Sequence, residues 1–100
     1  MNSEAVNEIS MKIISYSGTA RSDALVAMKL IKKGDREEAL KRVENSQKLL
    51  NCAHEEHTQL LVVEARDEKI EMTLLLIHAS NIMSNAEALL EIAKIELGER

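Results

Sequence analysis

Proline is missing altogether from this chain of 100 residues, glycine occurs three times, and Tyr16 is the lone aromatic side chain. The lack of proline leaves little to interrupt long helices apart from Gly18, Gly34 and Gly98. One aromatic ring makes no stacking platform, which argues against single-stranded nucleic acid and against a carbohydrate cleft. The formal net charge of -4 supplies no basic footprint for DNA, RNA or an acidic membrane surface. Cys52 stands alone, so no disulfide framework exists and a reducing cytoplasm is the simplest compartment. Set in a helical pattern among apolar neighbours, it reads as a spectator thiol and not as a nucleophile. The start Met1-Asn2-Ser3-Glu4 has neither the basic segment nor the apolar core of a signal peptide. Apolar runs such as Leu74–Ile77 are far too short to cross a bilayer. The expectation is a soluble, cytoplasmic protein without direct membrane insertion.

What remains is rich in Ala, Leu, Ile, Glu and Lys, the composition of an all-α domain, at a length that suits one domain with a modest core. Apolar residues recur at Val6, Ile9, Ile13, Tyr16, Ala20, Ala24, Ala27 and Ile31, which is one face of a helix over residues 3–33. Gly18-Thr19 is a point where this helix can be interrupted or kinked. Lys32-Lys33-Gly34 stops it, with cations in the last turn and a glycine for the left-handed cap. Asp35 caps a second helix over 35–63, with Glu37 and Glu38 in its first turn. Its inner face is Ala39, Val43, Ser46, Leu50, Ala53, His57 and Leu60. Asp67 is expected to cap a third helix over 67–97. Three long helices joined by short turns predict an antiparallel up-down-up three-helix bundle, one domain over 1–100 with no internal repeat.

The third helix is too apolar for a surface helix, which should show one stripe and one polar face. Ile70, Leu74, Ile77, Asn81, Ser84, Ala88, Glu91 and Ile95 follow a heptad spacing. A second band, Met72, Leu75, Leu76, Ala79, Ile82, Met83, Ala86, Leu89 and Leu90, points elsewhere. One band can pack inside the bundle and the other against another copy of the chain, so an oligomer is expected. Asn81, polar within the heptad row, is the kind of residue that fixes register and strand number.

Two histidine patterns carry potential chemistry. His78 shares a helical line with Glu71 and Asn85, with Asn81 beside it, and so is open to a partner. Most histidines at helical interfaces are merely satisfied polar groups, so periodicity alone does not make His78 a catalyst. His54-Glu55-Glu56-His57 superficially resembles the zinc-protease motif, but its histidines stand three apart where that motif needs four. With no further ligand set, His54 and His57 read as polar groups facing a subunit boundary and not as metal ligands. No nucleophile elbow or Gly-rich loop occurs anywhere.

Several blocks, taken together, carry more. They are Ile14-Ser15-Tyr16-Ser17-Gly18-Thr19-Ala20-Arg21-Ser22, Gly34-Asp35, Ala53-His54 with Thr58, Glu64-Ala65, and His78-Ala79. In order and spacing, over nearly the whole chain, they resemble the lactose/cellobiose-type enzyme IIA component of the bacterial sugar phosphotransferase system. That resemblance implies a three-helix bundle assembling as a homotrimer. It also implies that His78 accepts a phosphoryl group from the carrier protein HPr and passes it to a cysteine of enzyme IIB. The chemistry suits a histidine: neutral imidazole is nucleophilic near neutral pH, and phosphohistidine is labile enough to hand the group on.

The chain departs from the family pattern around this histidine. Where the family usually has His-Ala-Gln-Asp-His-Leu-Met, this chain has His78-Ala79-Ser80-Asn81-Ile82-Met83-Ser84. The family's acidic residue, which gathers around a metal ion on the trimer axis, is here Asn81, so no Mg or other cofactor is expected. Ser80 and Ile82 replace groups expected near the phosphoryl oxygens, and His57 stands where the family usually has Gln. Ser80, His54 and His57 are accordingly the expected supporting groups to His78. A non-catalytic helical interaction module, a degenerate paralogue, is the alternative. A histidine phosphotransfer domain of a two-component relay fits less well, since the H-x-L-K-G pattern is absent around His78.

Overall fold

Asn2, Asp35 and Thr73 each sit one residue before a helix and turn a side-chain oxygen back onto its first turn. Asn2 Oδ1 accepts from the Ala5 N–H at 2.9 Å, Asp35 Oδ1 from Glu38 at 3.3 Å, and Thr73 Oγ1 from Leu76 at 3.1 Å. Each bond satisfies a donor that the helix itself leaves open. The computed structural model describes residues 1–98, and the helices are α1 (Ser3–Lys32), α2 (Arg36–Ala65) and α3 (Leu74–Leu97). They form the expected all-α, up-down-up bundle, 49 × 21 × 15 Å. The last two positions of the expected 1–100 domain, 99 and 100, lie outside the described residues. No helix of the described residues is long and apolar enough to cross a membrane.

The inner rows repeat every three or four residues on all three helices. On α1 they are Val6, Ser10, Ile13, Ser17, Ala20, Ala24 and Ala27; on α2, Ala39, Val43, Ser46, Leu50, Ala53 and Leu60. A 3-4 repeat suits left-handed packing at a shallow angle, and the small residues of α1 let its neighbours come close. Ser46 Oγ donates to the Ala20 carbonyl at 2.8 Å, tying α2 to α1 through the core. Asp23, also buried on α1, accepts from Arg42 at 3.0 Å and from Asn45 at 2.6 Å, both on α2. The α2–α3 contact is the smallest of the three. A cleft therefore runs between α2 and α3, while α1 backs both.

Two expectations are corrected. Gly18 does not interrupt α1, which is one continuous helix from Ser3 to Lys32. Asp67 does not start α3. It takes the left-handed conformation, φ 64°, just past α2, where its N–H donates to the Glu64 carbonyl at 3.0 Å and that of Glu68 to Val63 at 3.3 Å. Asp tolerates that conformation better than most residues, so Asp67 closes α2 instead of opening α3. The stretch 66–73 then runs along the beginning of α1. Ser3 N–H donates to the Glu71 carboxylate at 2.9 Å, and Thr73 Oγ1 donates to Asn7 Oδ1 at 2.7 Å. α3 begins at Leu74, seven residues after the expected 67.

Candidate functional site

α3 carries two heptad rows side by side. Leu76, Ala79, Met83, Ala86, Leu90, Ala93 and Leu97 are buried against α1 and α2. The other row, Leu74, Ile77, Asn81, Ser84, Ala88, Glu91 and Ile95, is exposed along its whole length. Leu74 is 85% exposed, Ile95 73% and Ile77 47%, so together they leave an apolar stripe on the surface of a small domain. The apolar band centred on Ala79, Met83 and Ala86 thus fills the core, and the row that carries Asn81 stays outside. From the second band only Met72 departs strongly, at 67% exposed, because it precedes α3.

One flank of that outer row borders a groove of about 310 Å³ at the α3 start of the α2–α3 cleft. His57 and Glu64 line it from α2, Ser80 and Asn81 from α3, and Leu60, Leu76 and Ile77 supply apolar wall. His57 is half-buried there. The structure therefore brings His57 and Ser80 together. His54, one turn back on α2, is not part of this groove. Its Nε2 lies 2.7 Å from Glu87 Oε1 across the cleft, in a separate hollow of about 220 Å³. Lys94 of α3 donates to Gln47 of α2 further along. These cross-cleft contacts link α2 to α3, the pair of helices with the least contact.

His78 lies on the other flank. It is exposed and lines neither hollow. Ser80 is about 200° round the helix from it, so the outer apolar row separates the two within one protomer. Asn85, seven residues on, stays on the His78 line and is fixed from α1: Arg21 Nε donates to Asn85 Oδ1 at 3.0 Å. Glu71 does not share that helical line as expected, because it lies in the connection before α3 and accepts from Ser3.

Sequence reasoning did not single out Glu87, Asn45 or the Arg21–Asn85 bond. Their partners sit on other helices at a register that no local pattern encodes. His54 and Glu87 are 33 positions apart on helices whose connection is longer than the expected short turn. Among the described residues, no cluster of three His, Cys, Asp or Glu side chains is disposed to hold a metal ion. Asn81 offers a neutral amide at the centre of the outer row, a weak donor for Mg compared with a carboxylate.

Comparison with known proteins gives one answer at three levels. The family described as the lactose/cellobiose-specific IIA subunit of the PTS system matches residues 8–98. The lichenan-specific phosphotransferase enzyme IIA component of Bacillus subtilis is 39% identical over 97% of this chain and 90% of its own length. The N,N'-diacetylchitobiose-specific EIIA component of Escherichia coli K12 is 37% identical over 78% of this chain and 67% of its own. The crystal structure of the cellobiose-specific enzyme IIA of Bacillus anthracis superposes with a TM-score of 0.89 at 35% identity, covering 98% of this chain and 88% of that one. PtcA from S. mutans superposes at 0.94 with 26% identity, covering 98% and 96%. Fold, sequence and the matched span agree: the chain belongs to the lactose/cellobiose-specific IIA subunits of the phosphotransferase system, phosphotransferase components of sugar transport.

Proposed function

We propose that this chain is a cytoplasmic phosphocarrier in sugar uptake, with His78 as the residue that holds the phosphoryl group. HPr supplies the group from its phosphohistidine: that P–N bond breaks as a new P–N bond forms on His78. Enzyme IIB takes it next, when the His78 bond breaks and a P–S bond forms on a cysteine thiolate. No nucleotide is consumed. The observation that carries this reading is the exposure of His78 beside an apolar row, in a member of a phosphotransferase family. Both partners must reach the imidazole from outside, one after the other, and a buried ring could serve neither.

Transfer of this kind needs positioning and donors around three oxygens more than covalent chemistry. The protomer supplies few donors on the His78 flank, but self-association changes that. In a closed ring built on the outer row of α3, the left flank of each subunit meets the right flank of the next. His78 of one subunit would then face the groove that holds His57 and Ser80 in its neighbour. A homotrimer of this kind covers Leu74, Ile77 and Ile95 and assembles the site in the same step. His54, engaged with Glu87 in the cleft, has a structural part in this reading.

The test is incubation with phosphoenolpyruvate, enzyme I and HPr. Acid-labile phosphate is expected on the wild type and none on His78→Ala, a loss of at least about a hundredfold, as for removal of a covalent acceptor. Failure of the wild type to label with several HPr proteins would overturn the carrier reading and leave a helical interaction module.

A further inference from the structure

The outer row of α3 is uncharged from Leu74 to Ala88, and Asn81 is the polar group at its centre. A chain of net charge -4 that recruited a basic partner here would present carboxylates, and this row presents none before Glu91. A neutral heptad row is what parallel copies of one helix require, because equal residues then stand at equal heights and like charges would face each other. The occupant is therefore a second and third copy of this chain, which rests on the trimeric reading above.

At the height of Asn81 three such helices bring three identical side chains together. We infer that these amides form a closed hydrogen-bonded ring that fixes the register and number of subunits without a metal ion. Each carboxamide can donate through its NH₂ and accept through its carbonyl, so each can give one bond to the next and take one from the last. Three carboxylates at the same point would repel and would need a cation between them. The residue resemblance leads one to expect such a carboxylate, and Asn81 does not fit that role. Leu74 and Ile77 shield the ring on one side, and on the other the small Ser84 and Ala88 let the helices close over it, which makes satisfied amides selective and mispaired ones costly. Any slip by a heptad sets Asn81 against Leu74 or Ala88 and leaves its amide unpaired.

The test reads subunit number by sedimentation equilibrium, with and without excess EDTA. The wild type is expected to remain a trimer in EDTA. Asn81→Asp is expected to need added Mg, losing about tenfold or more in association when the metal is stripped. Asn81→Ile is expected to associate about tenfold more tightly and to give mixed species, since an apolar substitute removes the cost and the selectivity together. Asn81 is exposed in the protomer, so each variant keeps its helix, which circular dichroism verifies. A wild type that is monomeric or dimeric overturns the trimer and this inference with it. If the wild-type trimer falls apart in EDTA, or Asn81→Ile stays a clean trimer of unchanged affinity, the amide ring alone is overturned. Phosphoryl labelling of His78 is measured separately, so failure of the carrier chemistry is not confused with either result.

Discussion

The inner and outer rows of α3 share one spacing and one helix, yet they differ in what they ask of their residues. The inner row alternates alanine with a larger side chain, Leu76, Met83, Leu90 and Leu97, and buries nearly all of it. The outer row places its large residues near its ends, Leu74 and Ile77 at one and Ile95 at the other, and keeps Asn81, Ser84 and Ala88 between. Periodicity alone makes the two look alike. The difference is where the polar side chains stand: none inside on α3, whereas outside Asn81 and Ser84 sit in mid-row and Glu91 follows them. The inner row holds one chain together; in the trimer proposed above, the centred amide of the outer row would select its partners.

The largest test of that contrast is Leu90→Ala. Leu90 is 2% exposed, and truncating it should cost about 3 kcal/mol in urea unfolding through lost burial and a residual cavity. A cost below about 1 kcal/mol would mean that the inner row is loosely packed. Ile95→Ser is the matching change outside. At concentrations where protomers are separate it should shift unfolding by less than about 0.5 kcal/mol, while subunit association in sedimentation weakens. A large loss in the isolated protomer would erase the distinction between the rows. Opposite in sign is Ser17→Ala, inside α1. The buried Ser17 Oγ has no hydrogen-bond partner among the described residues, so removing it should raise stability by about 1 kcal/mol in thermal melts. A decrease would mean that the hydroxyl is satisfied in solution.

Much of the fold was legible in the residues. The α2 inner face expected from Ala39 to Leu60 is the buried one, with His57 half-exposed at the rim of the groove, and Asp35 caps where its position predicts. Asp67 misled because a carboxylate that can cap a helix start can equally tolerate the left-handed turn after a helix end. Thr73, directly before the apolar run Leu74–Ile77, was the better start signal. The candidate site was legible only in part. Its histidine stood out through the resemblance of the blocks around it, while periodicity left its role open. The groove shared by His57 and Ser80 depends on how α2 and α3 are set against each other, and that is decided by the 66–73 connection and by α1 packing behind both.

That connection has a consequence for the order in which the molecule takes shape. The turn from α1 to α2 spans only Lys33–Asp35, so these two helices can zip together from neighbouring positions as soon as both exist. The anchors that seat α3, Ser3 with Glu71 and Asn7 with Thr73, join residues 68 and 66 positions apart. Closing so wide a loop is slow unless its ends are already held, and here the finished α1–α2 hairpin holds them. The helix that bears His78 is then expected to arrive last, docking onto the α1–α2 hairpin.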